Sequence, residues 1–191
     1  MAVMDVSHAR NANRYWAIGL AALITGLLTA PAETLVDHLN LLRGLGGFSM
    51  VVSGAPFAIL IVTLVRVLVR AEWWRALTLG FVVVMAFAIA IAIASETSMD
   101  LTGRSEIVRN AIAGLVGGFL GSALLVGGVL LLHIGGPRGT RWLQMIAAGT
   151  LLGVLLAFDV YRQADNFWVL FPIWQVVVTL LFVRALETPP A

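Results

Sequence analysis

Two short motifs in this chain repeat the same arrangement of carboxylates. Glu33-Thr-Leu-Val-Asp37 and Glu96-Thr-Ser-Met-Asp100 both read E-T-x-x-D. Positions i and i+4 share one face of a helix, so a helical motif aims both carboxylates the same way. Like charges so placed repel by about 0.2–0.5 kcal/mol, which a cation, a basic partner or solvation must offset. His38 directly follows Asp37, and Glu, Asp and His together suit a divalent cation. Glu33, Asp37, His38, Glu96 and Asp100 are therefore the candidate metal or cation ligands. Plain solvation of acids in loops explains the same pattern without any ligand.

A second group lies near the C-terminus. Asp159 follows Leu155-Leu-Ala-Phe158, and Arg162 and Asp165 come next. An ionisable side chain at membrane depth is costly and marks a pathway or a buried pair. Arg162, three residues on, is the partner expected for Asp159. Gln175, close to Pro172, can hydrogen-bond across to a neighbouring helix. Asp159, Arg162, Asp165 and Gln175 are the candidate pathway or mouth. Pro56 and Pro172 each lie seven residues before a threonine, Thr63 and Thr179. Paired proline-interrupted helices point to a transporter's central site, although ordinary kinks look the same.

Much other chemistry is excluded. The chain has no cysteine, so disulfides, thiolate-bound zinc and iron–sulfur clusters are ruled out. It carries no G-x-S-x-G, H-E-x-x-H, Walker A or dinucleotide fingerprint. His133-Ile-Gly-Gly-Pro-Arg-Gly-Thr-Arg141 has the glycines of a phosphate loop but neither its order nor its Lys. His8, His38 and His133 fall in separate polar segments and cannot pair around a haem. No cofactor is expected apart from a divalent cation at the acidic residues.

The elements that must position these residues are apolar. Of 191 residues, 60% are hydrophobic and 12% charged, about half the charge of a soluble domain. A spanning helix takes about 20 apolar residues, and six stretches qualify: 15–32, 47–66, 76–95, 110–132, 142–159 and 167–185. Phe81-Val-Val-Val-Met-Ala-Phe-Ala-Ile-Ala-Ile-Ala-Ile-Ala94 does not alternate as a barrel strand would. The expected fold is all-α: a polytopic membrane bundle of about six helices. Residues 1–14 form a cytoplasmic segment, 15–186 the transmembrane domain and 187–191 a short cytoplasmic tail. The first stretch imitates a signal peptide, with Arg10 and Arg14 before an apolar core and Ala30-Pro-Ala32 after it. It is read here as the first helix.

Arginine placement sets the orientation. All twelve basic residues are Arg. With the N-terminus inside, Arg10, Arg14, Arg66, Arg70, Arg75, Arg138, Arg141 and Arg184 are cytoplasmic, against Arg43, Arg104, Arg109 and Arg162 outside. Most acids then lie outside, and Tyr15, Trp16, Trp73, Trp74 and Trp142 form an inner aromatic belt. Both termini are expected to be cytoplasmic. Arg-aromatic entries to the odd-numbered helices, with acids at their far ends, suit three pseudo-repeated hairpins. Arg66 and Arg70 read as anchors snorkelling to headgroups.

The expected setting is a plasma membrane, that of a bacterial inner membrane, in multi-pass form. The partners are the lipid bilayer, other membrane subunits, and a second copy through the Gly-rich helix 110–132, where Gly117-x-x-x-Gly121 allows close approach. Nucleic acid is not among them, because the arginines are scattered. The sequence favours a non-catalytic subunit, anchor or assembly factor of a larger membrane complex. The alternative is a small transporter or channel-like protein for a cation or small solute, with an acidic extracytoplasmic mouth. A metal-dependent membrane enzyme is the least favoured class.

Overall fold

A computed structural model of the chain describes residues 4–38, 52–134, 139–161 and 169–187, with side chains for 12–29, 52–134, 139–159 and 169–187. It is 90% helix, with no strand among the described residues. The helices are α1 (Met4–His38), α2 (Ala55–Leu68), α3 (Trp73–Asp100), α4 (Glu106–Leu131), α5 (Gly139–Leu152), α6 (Leu156–Tyr161) and α7 (Leu170–Glu187). One 3-10 turn, Gly153–Leu155, joins α5 to α6. Four segments are long and apolar enough to cross a membrane: Trp73–Asp100, Glu106–Leu131, Gly139–Asp159 and Leu170–Glu187. That content fits a membrane protein.

The helix ends follow from local chemistry. Pro56 stands in the first turn of α2, where its missing N–H costs nothing and its fixed φ suits a helix start. Val52 and Ser53 just upstream are also helical, with Gly54 a turn between them and Ala55, so Pro56 follows a one-residue break, and residues 47–51 of the expected stretch lie outside the described residues. The 14 residues of α2 span about 21 Å at 1.5 Å per residue. Pro172 likewise falls in the first turn of α7. α1 runs unbroken through Ala30-Pro-Ala32 to His38.

At the end of α4, His133 takes φ 53°. Its N–H bonds the Leu130 carbonyl at 3.1 Å, and the Ile134 N–H bonds the Val129 carbonyl at 3.0 Å. This is a Schellman stop with histidine in the left-handed position usually given to glycine. Ile134, the residue after it, is buried.

Chain neighbours pack side by side, as short connections require. Around the bundle the contacts run α1 to α2, α3, α4, α5, α7 and back to α1, and α2 also touches α7. The interior holds Phe57, Ile61, Leu79, Leu125, Met145, Val178 and Phe182. Trp16, Leu20, Ile24 and Leu28 form one exposed apolar stripe, and Leu131, Leu143, Leu151 and Phe158 are exposed elsewhere. Apolar surface on this scale suits contact with lipid, not water.

Glycines set the tightest contacts. A Cβ on Gly114 would collide with the Gly153 carbonyl, and one on Gly118 with the Gly149 carbonyl. The backbones of α4 and α5 therefore touch directly, as small residues spaced by four allow. Gly26 does the same for α1 and α7, with a Cβ placed 2.5 Å from the Pro172 Cα. At one end of the bundle Arg14 pairs with Glu187 at 2.8 Å, and Tyr15 donates to the same carboxylate at 2.5 Å. Arg141 donates to the Arg184 carbonyl at 2.8 Å. Arg66 lies 4.3 Å over the Trp73 ring and donates to the Ala71 carbonyl. Glu96, Asp100 and Glu106 are exposed at the other end.

Candidate functional site

Asp159 is completely buried. Its Oδ1 accepts the Val169 N–H at 3.0 Å and its Oδ2 accepts the Leu170 N–H at 2.8 Å. Both donors belong to the start of α7, where the first N–H groups lack intrahelical partners and the helix dipole favours negative charge. Asp159 thus caps a helix other than its own. The partner expected from the sequence was Arg162. Both carboxylate oxygens are on backbone donors, and Arg162 and Asp165 lie outside the described residues.

Gln175 is also fully buried. Its Oε1 accepts from the Thr25 hydroxyl at 2.8 Å, and its Nε2 donates to Thr29 Oγ1 at 2.8 Å. Thr29 passes its own proton to the Thr25 carbonyl at 2.9 Å. One glutamine thereby ties two turns of α1 to α7. Thr25 Oγ1 is also 3.0 Å from the Ala22 carbonyl, and its single proton is shared between the two acceptors. The sequence pointed to Gln175 but not to these threonines, which read as ordinary apolar-helix filler.

The E-T-x-x-D motifs fare differently. Glu33, Asp37 and His38 fall in the last turns of α1, and their side chains lie outside the described residues. Glu96 and Asp100 occupy the last turn of α3, both exposed. Among the described residues no three His, Cys, Asp or Glu side chains gather in a way that could hold a metal ion. Thr63 is exposed and donates to the Ile59 carbonyl at 2.8 Å, whereas Thr179 is buried. The two aligned threonines face opposite surroundings.

One concavity was not foreseen. A cavity of about 370 Å³ lies between α2, α3, α4, the α5–α6 junction and α7. Its volume falls within the range of about 300–1,000 Å³ typical of ligand sites. Small residues make the space. Ala86, Ala90 and Ala94 recur every four residues along α3, with Gly117 and Gly121 of α4 beside Ala90 and Ala94, and Gly114 and Gly118 against the α5 segment. Phe57, Phe87, Phe171 and Trp174 close the sides. Trp174 is held by its Nε1 donating to the Gly149 carbonyl at 3.1 Å, and it meets Phe57 edge to face at 5.7 Å. Phe87 and Phe171 stand 5.1 Å apart.

Polar groups line only one end. Ser95, Ser98 and Asn110 gather there, with the Ser98 hydroxyl donating to Asn110 Oδ1 at 3.1 Å. Asn110 is buried and Met99, beside it, is exposed, so the cavity reaches the surface at the end carrying Asp100 and Glu106. The sequence signal nearest this site was Gly117-x-x-x-Gly121 on α4, read there only as a close-packing motif. Comparison with known proteins finds no matching family model, no similar curated protein and no similar solved structure.

Proposed function

We propose that this chain is a multi-pass membrane protein of six crossings, with both termini cytoplasmic, serving as a non-catalytic subunit, anchor or assembly factor of a larger complex in a bacterial inner membrane. The observation that carries the reading is how the interior polar groups are used. Asp159 caps α7, Gln175 joins α1 to α7, and Trp174 bonds α5. These are the groups a polar pathway would need, and each is engaged in holding helices together. The cavity beside them is apolar along most of its length, which suits neither a hydrated ion nor acid–base chemistry.

The test is native mass after mild detergent extraction from the source membrane. A stoichiometric complex with a larger protein is the expected result. A chain that runs alone and catalyses flux in vesicles would overturn it.

The exposed Glu96, Asp100 and Glu106 at one end favour a second reading, a small transporter whose acidic mouth concentrates a cationic solute. Solute flux in reconstituted vesicles, lost when Glu96 and Asp100 are both changed to Gln or Asn, is the result that reading requires. Flux unchanged by those substitutions would count against it.

A further inference from the structure

We propose that the cavity bounded by α2, α3, α4, the α5–α6 junction and α7 holds one acyl chain of a membrane lipid, with the lipid's ester carbonyl at Ser95 and Asn110. Its lining is long. The lining on α4 runs from Asn110 to Leu125, which at 1.5 Å per residue is about 22 Å. The volume of about 370 Å³ is drawn out along that length. A flexible hydrocarbon chain fits a slot of that shape.

The chemistry along the slot agrees. Ala86, Ala90, Gly117, Gly121 and Leu125 offer only carbon and helix backbone whose hydrogen bonds are already made. Water needs two to four polar partners, and the walls supply them only at the Asn110 end. An apolar void of this size left empty would forfeit the packing that interiors otherwise keep. A hydrocarbon chain is the filler that a bilayer provides.

The polar end specifies the headgroup side. Asn110 Oδ1 already accepts from Ser98. The Asn110 amide nitrogen and the Ser95 hydroxyl have no hydrogen-bond partner among the described residues. Both can donate, so the group that meets them must accept, and an ester carbonyl does so without bringing charge into the bundle. The depth also matches. Asn110 is the fifth residue of α4, counting from Glu106, about 6 Å along the helix from its start. Glu106 and Asp100 then stand among the headgroups and Asn110 beneath them, where ester linkages lie. Met99 lines the cavity and is 67% exposed, which marks the side from which a chain enters.

The experiment uses the full chain in phosphatidylcholine vesicles doped with a phosphatidylcholine that carries a diazirine near the middle of one acyl chain. After irradiation, adducts are mapped to residues by mass spectrometry. Adducts are expected on Ala90–Ala94 and Gly117–Gly121, about ten-fold denser than on the exposed Phe81 and Leu131, a preference worth 1.4 kcal/mol. They should saturate as the doped fraction rises. In a Gly121→Leu variant the first added carbon sits in ordinary contact, 3.6 Å from Trp174 and 3.8 Å from Ala90, and the rest of the side chain must enter the cavity. Cavity adducts should then fall about ten-fold while those at Phe81 and Leu131 persist. Ala94→Leu fills the slot from the opposite wall and should do the same, so one misfolded variant does not decide the matter. Adducts spread evenly over exposed positions, or cavity adducts unchanged in both filled variants, would overturn the proposal. So would a second copy's peptide cross-linked into the slot. None of these outcomes depends on whether the chain has a partner subunit.

Discussion

Replacing Asp159 should loosen the start of α7 before it disturbs anything else. The carboxylate is completely buried and accepts two backbone N–H groups at 3.0 and 2.8 Å. Asp159→Ala leaves both donors without a partner and out of reach of water. At about 1–3 kcal/mol for each unsatisfied buried group, the variant should lose about 2–6 kcal/mol. Asp159→Asn keeps one acceptor and turns an N–H₂ group toward the second donor, so its loss should be about half as large. Equilibrium unfolding in mixed micelles, followed by tryptophan fluorescence, measures both values. Amide exchange then locates the damage: Val169 and Leu170 should exchange faster in the Asn variant, while Val178 in the middle of α7 stays protected. An Asn variant as stable as the parent, with the same exchange at Val169 and Leu170, would refute the cap. A change in solute flux without a change in stability would return Asp159 to a pathway.

The other expectations are smaller in scale. Gln175→Leu should destabilise the bundle by about 1–2 kcal/mol, given that side-chain hydrogen bonds within membranes contribute about 0.6 kcal/mol on average and at most about 1.7. Combining it with Thr25→Val and Thr29→Val should cost less than the sum of the separate effects, as a double-mutant cycle would record. Gly118→Ala must push α4 away from the Gly149 carbonyl and should cost about 1–3 kcal/mol. Gly127→Ala meets nothing within 4 Å and should be neutral or stabilising by up to about 1 kcal/mol. Thermal unfolding in detergent separates the two. His133→Gly should stabilise by about 0.5–1 kcal/mol, since φ 53° strains a side chain but not glycine.

Reading the sequence succeeded where the physics is local and failed where it is not. Unbroken apolar runs such as Phe81–Ala94 identify helices long enough to span, because no other local structure satisfies their backbone in lipid. Near Pro56 the apolar run does not show the turn at Gly54 that separates helical Val52 and Ser53 from α2, because hydrophobicity continues across it. Asp159 stood out as an unusual residue, but its donors lie ten and eleven residues further on. Pattern reading looks one turn away, toward Arg162, and does not reach donors that far along the chain. Gln175 was visible as a polar residue in an apolar run. Its partners, Thr25 and Thr29, sit 150 and 146 residues earlier, and only the packing of α1 on α7 joins them. The cavity was least legible. Glycine and alanine at four-residue spacing predict close contact, and between α4 and α5 they give it. Across from α3 they give contact as well, a Cβ on Gly117 falling 3.2 Å from the Ala90 carbonyl and from Ala94, and the open space lies beside that seam toward Phe87, Phe171 and Trp174.

The cap on α7 has a consequence for biosynthesis. When residues 139–161 enter the membrane alone, Asp159 arrives as an unpartnered carboxylate and its segment carries an insertion penalty. The groups that relieve it, the first amides of α7, are made only later. The last two apolar segments should therefore leave the insertion machinery together. A chain truncated between them should slip back toward water more readily than the hydrophobicity of its final helix would suggest.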